Sequence, residues 1–239
     1  MTGTDIWLGV NIDHVATLRQ ARGGALAGSA ARRTGCRAMR ALTASRCTCA
    51  RIAGTSRTAT CAPMRGTLQT RMNLEIAATD EMIRHRAAKC SRRTCCLVPE
   101  KRREVTTEGG LDVAGQQAAI ADACRRLAAG GIRVSLFIDP DAAQVDAAAR
   151  AGAPVVELHT GAYARGARQR NAARARAHSR MRRARTPQPD SIVHAGHGLE
   201  LPQRAAGGAA IREIVELNIG HADRRARRDR AASAARSRR

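Results

Sequence analysis

The stretch from Val134 to His159, VSLFIDPDAAQVDAAARAGAPVVELH, contains one complete strand–helix–strand unit. Both of its ends are short, mostly apolar runs, which is typical of parallel strands that are buried on both faces. Its alanine-rich middle follows Asp141, a good N-cap residue, and ends before Gly152, a good C-cap residue. The pattern therefore predicts two parallel strands joined by a helix over Ala142 to Ala151.

The same unit recurs along the rest of the chain. A second alanine-rich helix is predicted over Ala114 to Ala129, closed by Gly130 and Gly131. Further apolar runs that end in polar residues predict strands at 8–14, 72–75, 96–100, 192–194 and 214–219. One more strand would fit within 25–70, and a chain of 239 residues suits an eight-stranded barrel. We predict a single (β/α)8 TIM barrel domain over residues 1–239, with a doubly wound open sheet as the alternative fold.

The charge of the chain is strongly basic and unevenly distributed. There are 42 Lys and Arg against 20 Asp and Glu, a formal net charge of +22, with only one Trp, one Tyr and one Phe. The basic excess lies outside the strands and helices predicted above, and those segments taken together are net acidic. A groove for nucleic acid would share the scaffold and would interleave aromatic residues for stacking. We therefore predict no nucleic-acid partner and keep an Arg-rich nucleic-acid-binding protein as an alternative.

Membrane and metal signals are weak in this sequence. No apolar run reaches the roughly 18 to 20 residues that cross a bilayer, and the start of the chain lacks the pattern of a signal peptide. The eight cysteines do not form two pairs at zinc-finger spacing. These features predict a cytoplasmic protein with no membrane partner, no metal and no cofactor.

Chemistry in a barrel of this kind occurs at the carboxyl ends of the strands and in the loops that follow them. Polar residues and a glycine occupy those positions here: Asn11, Asp13, His14, Glu75, Glu100, Lys101, Asp139, Glu157, His159, His197, Gly220 and His221. Because the carboxyl ends meet at one rim, they predict a single site there. One alternative for that site is a metal hydrolase that uses His194, His197 and His221 with Asp13, since imidazole and carboxylate suit zinc.

Eight motifs also occur in a distinctive order. They are LGVNIDHVATLRQARG from Leu8, RMNLE from Arg71, CLVPEKR from Cys96, VTTEGGLDV from Val105, VSLFID from Val134, VELHTG from Val156, AGHGL from Ala195 and ELNIGHA from Glu216. In order and approximate spacing they resemble the pyridoxine 5′-phosphate synthase family, barrel enzymes that close the pyridine ring of vitamin B6. The motifs contain 61 of the 239 residues, about a quarter of the chain.

The resemblance implies a reaction and a set of site residues. The family condenses 3-amino-2-oxopropyl phosphate with 1-deoxy-D-xylulose 5-phosphate, which gives pyridoxine 5′-phosphate, phosphate and water. It needs no cofactor, acts on small phosphorylated substrates and tends to form homo-oligomers. Glu75 matches the family's glutamate base, and His197 matches its histidine acid. The matches to the aminoketone-phosphate contacts are Asn11, Arg22, Gly198, Gly220 and His221, and those to the sugar-phosphate contacts are Asp13, His14 and Thr106.

One segment departs from the family in an informative way. Where the family has a string like ITVHLREDRRHITDRDVR, this chain has SRCTCARIAGTSRTATCA from Ser45 to Ala62. One permitted set of codons for the latter, read one base earlier, encodes the former. We interpret Ser45 to Ala62 as an out-of-frame translation, as we do several of the Arg-rich connecting segments. A histidine encoded across Cys47 and Thr48 and an arginine across Cys49 and Ala50 are then missing. We expect the chain as written to be inactive and to fold poorly, because a missing second strand would leave two open edges.

Overall fold

The computed structural model of the protein describes residues 6–11, 46–50, 72–84, 94–99, 109–168, 191–196 and 214–219. These residues include eight strands. The strands are β1 (Trp7–Asn11), β2 (Arg46–Ala50), β3 (Met72–Ala77), β4 (Thr94–Val98), β5 (Arg133–Ile138), β6 (Val155–His159), β7 (Ile192–Gly196) and β8 (Ile214–Ile219). Each strand pairs in parallel with the next along the chain, and β1 pairs with β8, so the sheet closes into a barrel. The predicted TIM barrel is confirmed.

The expectation of a missing second strand was wrong. The segment Arg46–Ala50 pairs with β1 through Val10 and Cys47, and with β3 through Ala50 and Glu75, so the barrel has no gap at this position. A strand ladder is built from backbone N–H and C=O groups, which every residue other than proline supplies in full. Arg46–Ala50 contains no proline, and its threonine is favourable in strands. The ladder therefore forms although the residues differ from the family's.

Four helices are described: α1 (Asp80–Met82), α2 (Gln117–Ala129), α3 (Ala142–Arg150) and α4 (Gly161–Arg168). The Asp141 side chain accepts a hydrogen bond from the Ala143 N–H at 2.9 Å, so the predicted N-cap of α3 is confirmed. Gly131 (φ 72°) and Gly152 (φ 75°) follow the ends of α2 and α3 in the left-handed conformation that favours glycine. Helix α2 begins three residues later than predicted, because residues 113–116 form a turn first.

The barrel wall separates two kinds of packing. On the outer side, strand residues such as Leu74, Leu136 and Leu158 are at most 2% exposed and form one apolar core with the helices. On the inner side, Cys96, Val98 and Phe137 form a separate small apolar cluster. Successive side chains of a strand alternate between the two sides. Several other inner positions carry buried polar side chains, and these positions form the candidate site.

Candidate active site

The inside of the barrel contains a ring of buried polar side chains. Each of them lies on a strand, and each is at most 5% exposed: Asn73, Glu75, Ser135, Glu157, His194, Glu216 and Asn218. Polar groups are costly to bury in an interior that could hold leucine or valine instead. This ring therefore marks the barrel interior as a chemical site and not as packing alone.

Glu75 lies at the fourth position of β3 and is 3% exposed. Its register partners are Ala50 on β2 and Cys96 on β4. Burial raises the pKa of the Cys96 thiol well above its usual value, and the carboxylates of Glu157 and Glu75 raise it further. The thiol is therefore protonated at neutral pH, and its neighbours concentrate negative charge at the centre of the barrel.

Glu157 is a second buried carboxylate on the inner side, 1% exposed. It accepts a hydrogen bond from Asn218 Nδ2 at 2.7 Å, and the Cys96 thiol points at it with an Sγ–Oε2 distance of 3.9 Å. These contacts connect β6 to β8 and to β4. A Cβ atom added to Gly196 would lie 2.6 Å from Glu157 Oε1 and 2.8 Å from the Asn218 carbonyl oxygen. Gly196 is therefore required for the carboxylate to occupy this place.

A third carboxylate lies on β8. Glu216 Oε1 is 3.8 Å from His194 Nδ1 on β7, and both side chains are at most 3% exposed. The two residues are register partners, so the strand ladder fixes their spacing. At 3.8 Å the contact is longer than a hydrogen bond, and it is an ion pair when the imidazole is protonated.

At the mouth of the barrel, β6 and the segment after β5 present a histidine and an aspartate. His159 Nδ1 is 2.9 Å from Asp139 Oδ1, and the His159 ring meets the Phe137 ring edge-on, with centroids 5.3 Å apart. The next residue, Thr160, donates from both its backbone N–H (2.9 Å) and its hydroxyl (2.6 Å) to the Gly196 carbonyl oxygen. The ends of β6 and β7 are thus fixed to each other.

Of the ten residues matched to the family's catalytic and substrate contacts, two are described, Glu75 and Asn11. Glu75 lies in the buried ring, and Asn11 is the last residue of β1. The others fall outside the described residues: Asp13, His14, Arg22, Thr106, His197, Gly198, Gly220 and His221. Gly196 at the end of β7 and Ile219 at the end of β8 directly precede two of these groups in the sequence. The assigned roles of all ten residues stay predictions.

Four members of the buried ring were not predicted, because only residues at the strand ends were considered as candidates: Asn73, Ser135, Glu216 and Asn218. Asn73 with Glu75 and Glu216 with Asn218 are spaced two residues apart, which puts each pair on one face of its strand. That spacing inside otherwise apolar runs is the signal that predicts a polar barrel interior. Ser135 and Cys96 are single interruptions and give no such signal.

Two alternatives concern metals and membranes. Within the described ranges, no three His, Cys, Asp or Glu side chains are grouped so that they could hold a metal ion. Of the four residues in the metal-hydrolase alternative, only His194 lies in those ranges, and its carboxylate neighbour is Glu216. No helix among the described residues has the length and apolar character needed to cross a membrane.

Comparison with known proteins identifies both the fold and the family. The chain is similar to the YdjI aldolase from Escherichia coli K12, with 13% identity over 91% of this chain and 76% of that one, and a TM-score of 0.57. A mutant tryptophan synthase α-subunit from Pyrococcus furiosus gives 10% identity over 92% and 89%, with a TM-score of 0.57. An N-acetylmannosamine-6-phosphate 2-epimerase from Clostridium perfringens gives 11% identity over 92% and 88%, with a TM-score of 0.52. At these identities the likeness shows the fold alone.

The family model of the pyridoxal phosphate biosynthesis protein PdxJ matches residues 8–223. The match spans most of the 239-residue chain, from the second residue of β1 through β8, and includes all eight motifs that resemble the family. This chain therefore belongs to the PdxJ family of pyridoxal phosphate biosynthesis proteins.

Proposed function

We propose that the reaction of this barrel is the synthesis of pyridoxine 5′-phosphate from 3-amino-2-oxopropyl phosphate and 1-deoxy-D-xylulose 5-phosphate, with release of phosphate and water. The observation that carries the proposal is the buried carboxylate of Glu75 inside the barrel of a PdxJ family member. A ring closure of this kind needs repeated proton transfers in a closed pocket. The enzyme is then a transferase that uses no cofactor.

Glu75 acts as the base in this proposal. Its carboxylate is 3% exposed, which keeps water away from the proton that it takes. Asn73 lies two residues earlier on the same face of β3, and Cys96, a protonated thiol, is the register partner of Glu75 on β4; Glu157 is the second carboxylate near that thiol. His197, the residue after Gly196, serves as the acid, and the phosphate contacts come from the loops that follow β1, β4, β7 and β8. The substrates are small phosphorylated molecules, and the protein acts in the cytoplasm as a homo-oligomer.

Strand β2 is the incomplete part of this site. Its register places Thr48 beside Asn11 and Asn73, and Ala50 beside Glu75. On the out-of-frame interpretation, these two positions correspond to a histidine and a phosphate-binding arginine of the family. The chain as written therefore forms the barrel but lacks two groups of its site, and we expect it to be inactive.

The test compares the chain as written with a frame-restored chain. One base inserted upstream of the Ser45 codon, compensated between Ala62 and Arg71, gives the family's residues in β2 and in its following loop. Each purified protein is incubated with both substrates, and pyridoxine 5′-phosphate and inorganic phosphate are measured. The frame-restored chain should form both products, and omission of either substrate should stop both. Because a placed proton-transfer group contributes roughly 10²- to 10⁴-fold, the difference in turnover should be at least this large.

Two results would count against the proposal. If the folded, frame-restored chain releases phosphate without pyridoxine 5′-phosphate, another reaction of the same substrates is catalysed. If the chain as written turns over as fast as the frame-restored chain, β2 contributes no chemistry and the out-of-frame interpretation fails.

A further inference from the structure

The pair formed by His159 and Asp139 lies at the mouth of the barrel and has no role in the function proposed above. Asp139 follows β5 directly, and His159 is the last residue of β6. The side chain of His159 is 11% exposed, whereas that of Asp139 is 53% exposed. The imidazole is therefore enclosed, and its carboxylate partner faces solvent.

The hydrogen bond between them fixes the protonation of the ring. An ionised carboxylate can only accept a hydrogen bond, so at the 2.9 Å contact the proton belongs to His159 Nδ1. In the neutral ring, Nε2 then carries the lone pair. This arrangement, a carboxylate that orients an imidazole through Nδ1, is the one that proteins use to prepare a histidine for proton transfer.

The fold holds the ring on the side of the barrel where the buried carboxylates lie. Glu157 and His159 are two residues apart on β6 and so share its inner face, and Phe137 on β5 packs edge-on against the ring. The charged groups near the ring on these two elements are Asp139 and Glu157, and β7 contributes Gly196, the register partner of His159. The imidazole of His159 thus lies two residues nearer to the barrel mouth than Glu157 on the same strand.

Residues 109–111 lie against the same pair. A Cβ atom on Gly110 would be 2.2 Å from the Asp139 backbone nitrogen, and Leu111 N donates to Phe137 O at 2.7 Å. This close packing places residues 109–111 against the end of β5. The His159–Asp139 pair is therefore next to residues 109–111, which follow in the sequence the segment that contains the predicted sugar-phosphate contact Thr106.

We propose that His159, oriented by Asp139, is a further acid–base residue of this site, contacting the substrate through Nε2; the proposal rests on the proposed function. In a dehydration step the C–O bond breaks, and the oxygen leaves as water with a proton from the imidazolium. A substrate C–H or N–H then gives its proton back to Nε2 as the new double bond forms. Asp139 stabilises the charged ring between these transfers, and no oxidant or reductant is needed.

The first test uses the chain as written and needs no turnover. Long-range ¹H–¹⁵N spectra of the seven histidines are recorded, with His159 assigned by its loss in His159→Gln. At a pH where the ring is neutral, His159 should show a protonated Nδ1 and an unprotonated Nε2. Asp139→Asn should shift this tautomer balance. Asp141→Asn is the matched control, because it removes a carboxylate two residues from Asp139. Asp141 caps a helix, and asparagine is an equally good cap residue, so this variant should leave the spectrum unchanged.

The second test uses the frame-restored chain. His159→Gln should lower kcat by about 10²-fold and Asp139→Asn by at least about tenfold, with KM within about threefold, while Asp141→Asn keeps the parental kcat. Asp139 is largely exposed, so its substitution should preserve the fold even if that of His159 does not. A protonated Nε2 in the unaltered chain, or kcat values of both variants within about twofold of the parent, overturns the proposal. A parent that makes no pyridoxine 5′-phosphate contradicts the proposed function instead, and the spectra still decide whether the oriented pair exists.

Discussion

Strands β2 and β3 are neighbours in the same ladder but contribute differently to the protein. Both are parallel strands, and four register pairs join them, from Cys47 with Met72 to Ala50 with Glu75. Strand β3 carries family residues, with Leu74 and Ile76 in the outer core and Asn73 and Glu75 in the inner ring. Strand β2 carries residues that we interpret as out of frame, and it still closes the barrel.

The difference shows that pairing and chemistry place different demands on sequence. A backbone ladder accepts almost any residue that has an N–H group. A proton-transfer site needs one side chain at one position, because a shift of about 1 Å already weakens catalysis strongly. A strand can therefore lose its chemistry and keep its place in the barrel.

The largest expected effect is on turnover, and it is expected when Glu75, the proposed base on β3, is replaced. In the frame-restored chain, Glu75→Gln should lower turnover by about 10²- to 10⁴-fold, because the amide cannot take a proton. The unfolding free energy should change by no more than about 1 kcal/mol, since glutamine has nearly the same shape. Steady-state kinetics and urea unfolding measure the two effects. A variant that keeps turnover near that of its parent would show that Glu75 is not the base.

The second effect tests the backbone role of β2. In the chain as written, Thr48→Pro removes an N–H group from the middle of a strand that is paired on both sides, and should cost about 2–4 kcal/mol of unfolding free energy. Thr48→Ala keeps the N–H group and should cost less than about 1 kcal/mol. Chemical denaturation of both variants makes the comparison. Equal losses would mean that β2 stabilises the barrel by something other than its ladder.

A third effect is on the unfolding free energy, and it tests how tightly Glu157 is packed inside the barrel. Gly196→Ala would push a methyl group against Glu157 and the Asn218 backbone, and should cost about 1–3 kcal/mol. Gly130→Ala is the control, because Gly130 has an ordinary φ of −82° and its nearest atom is 3.3 Å away. Its effect should stay below about 1 kcal/mol. Urea unfolding that gives both variants the same stability would refute the tight packing around Glu157.

The last effect is a loss of stability that is confined to alkaline solution. Burial raises the pKa of Cys124 on α2 from 9.0 to about 11, so the folded state holds this proton more tightly than the unfolded state. The resulting stabilisation is complete below pH 9 and is lost as the pH rises toward 11, by about 1.4 kcal/mol per pH unit. Cys124→Ala should flatten this part of the pH–stability curve. An unchanged slope in the variant would assign the alkaline loss to other groups.

Much of the fold followed from the sequence because the strands and helices of 94–159 have clear periodicity and caps. Asp141 and Gly152 marked the ends of α3 correctly, since N-cap and C-cap chemistry is local. Strand β2 could not be predicted from its own residues, because its place depends on pairing with β1 and β3 and not on a local pattern. The sequence indicated only that one more strand would fit within 25–70.

The site was predicted less completely than the fold. Glu75 was identified by the RMNLE motif, and the structure places it in the buried ring. The contact between His159 and Asp139 joins residues 20 positions apart in the sequence, and the arrangement of the strands brings them together. The same holds for Glu157 and Asn218, which are 61 positions apart. Such pairings depend on strand register, which single-sequence patterns specify weakly.

The central claim is that β2 keeps its backbone pairing and lacks only the side chains needed for catalysis and substrate binding. Its most direct test is a two-residue change in β2 of the chain as written. Thr48→His with Ala50→Arg returns a histidine and an arginine to the register positions beside Asn73 and Glu75, and leaves the ladder as it is. Turnover of the two phosphorylated substrates should rise by at least about 10²-fold over the chain as written, with the circular dichroism spectrum unchanged. A folded double variant with no increase would contradict the claim that β2 lacks only its chemistry.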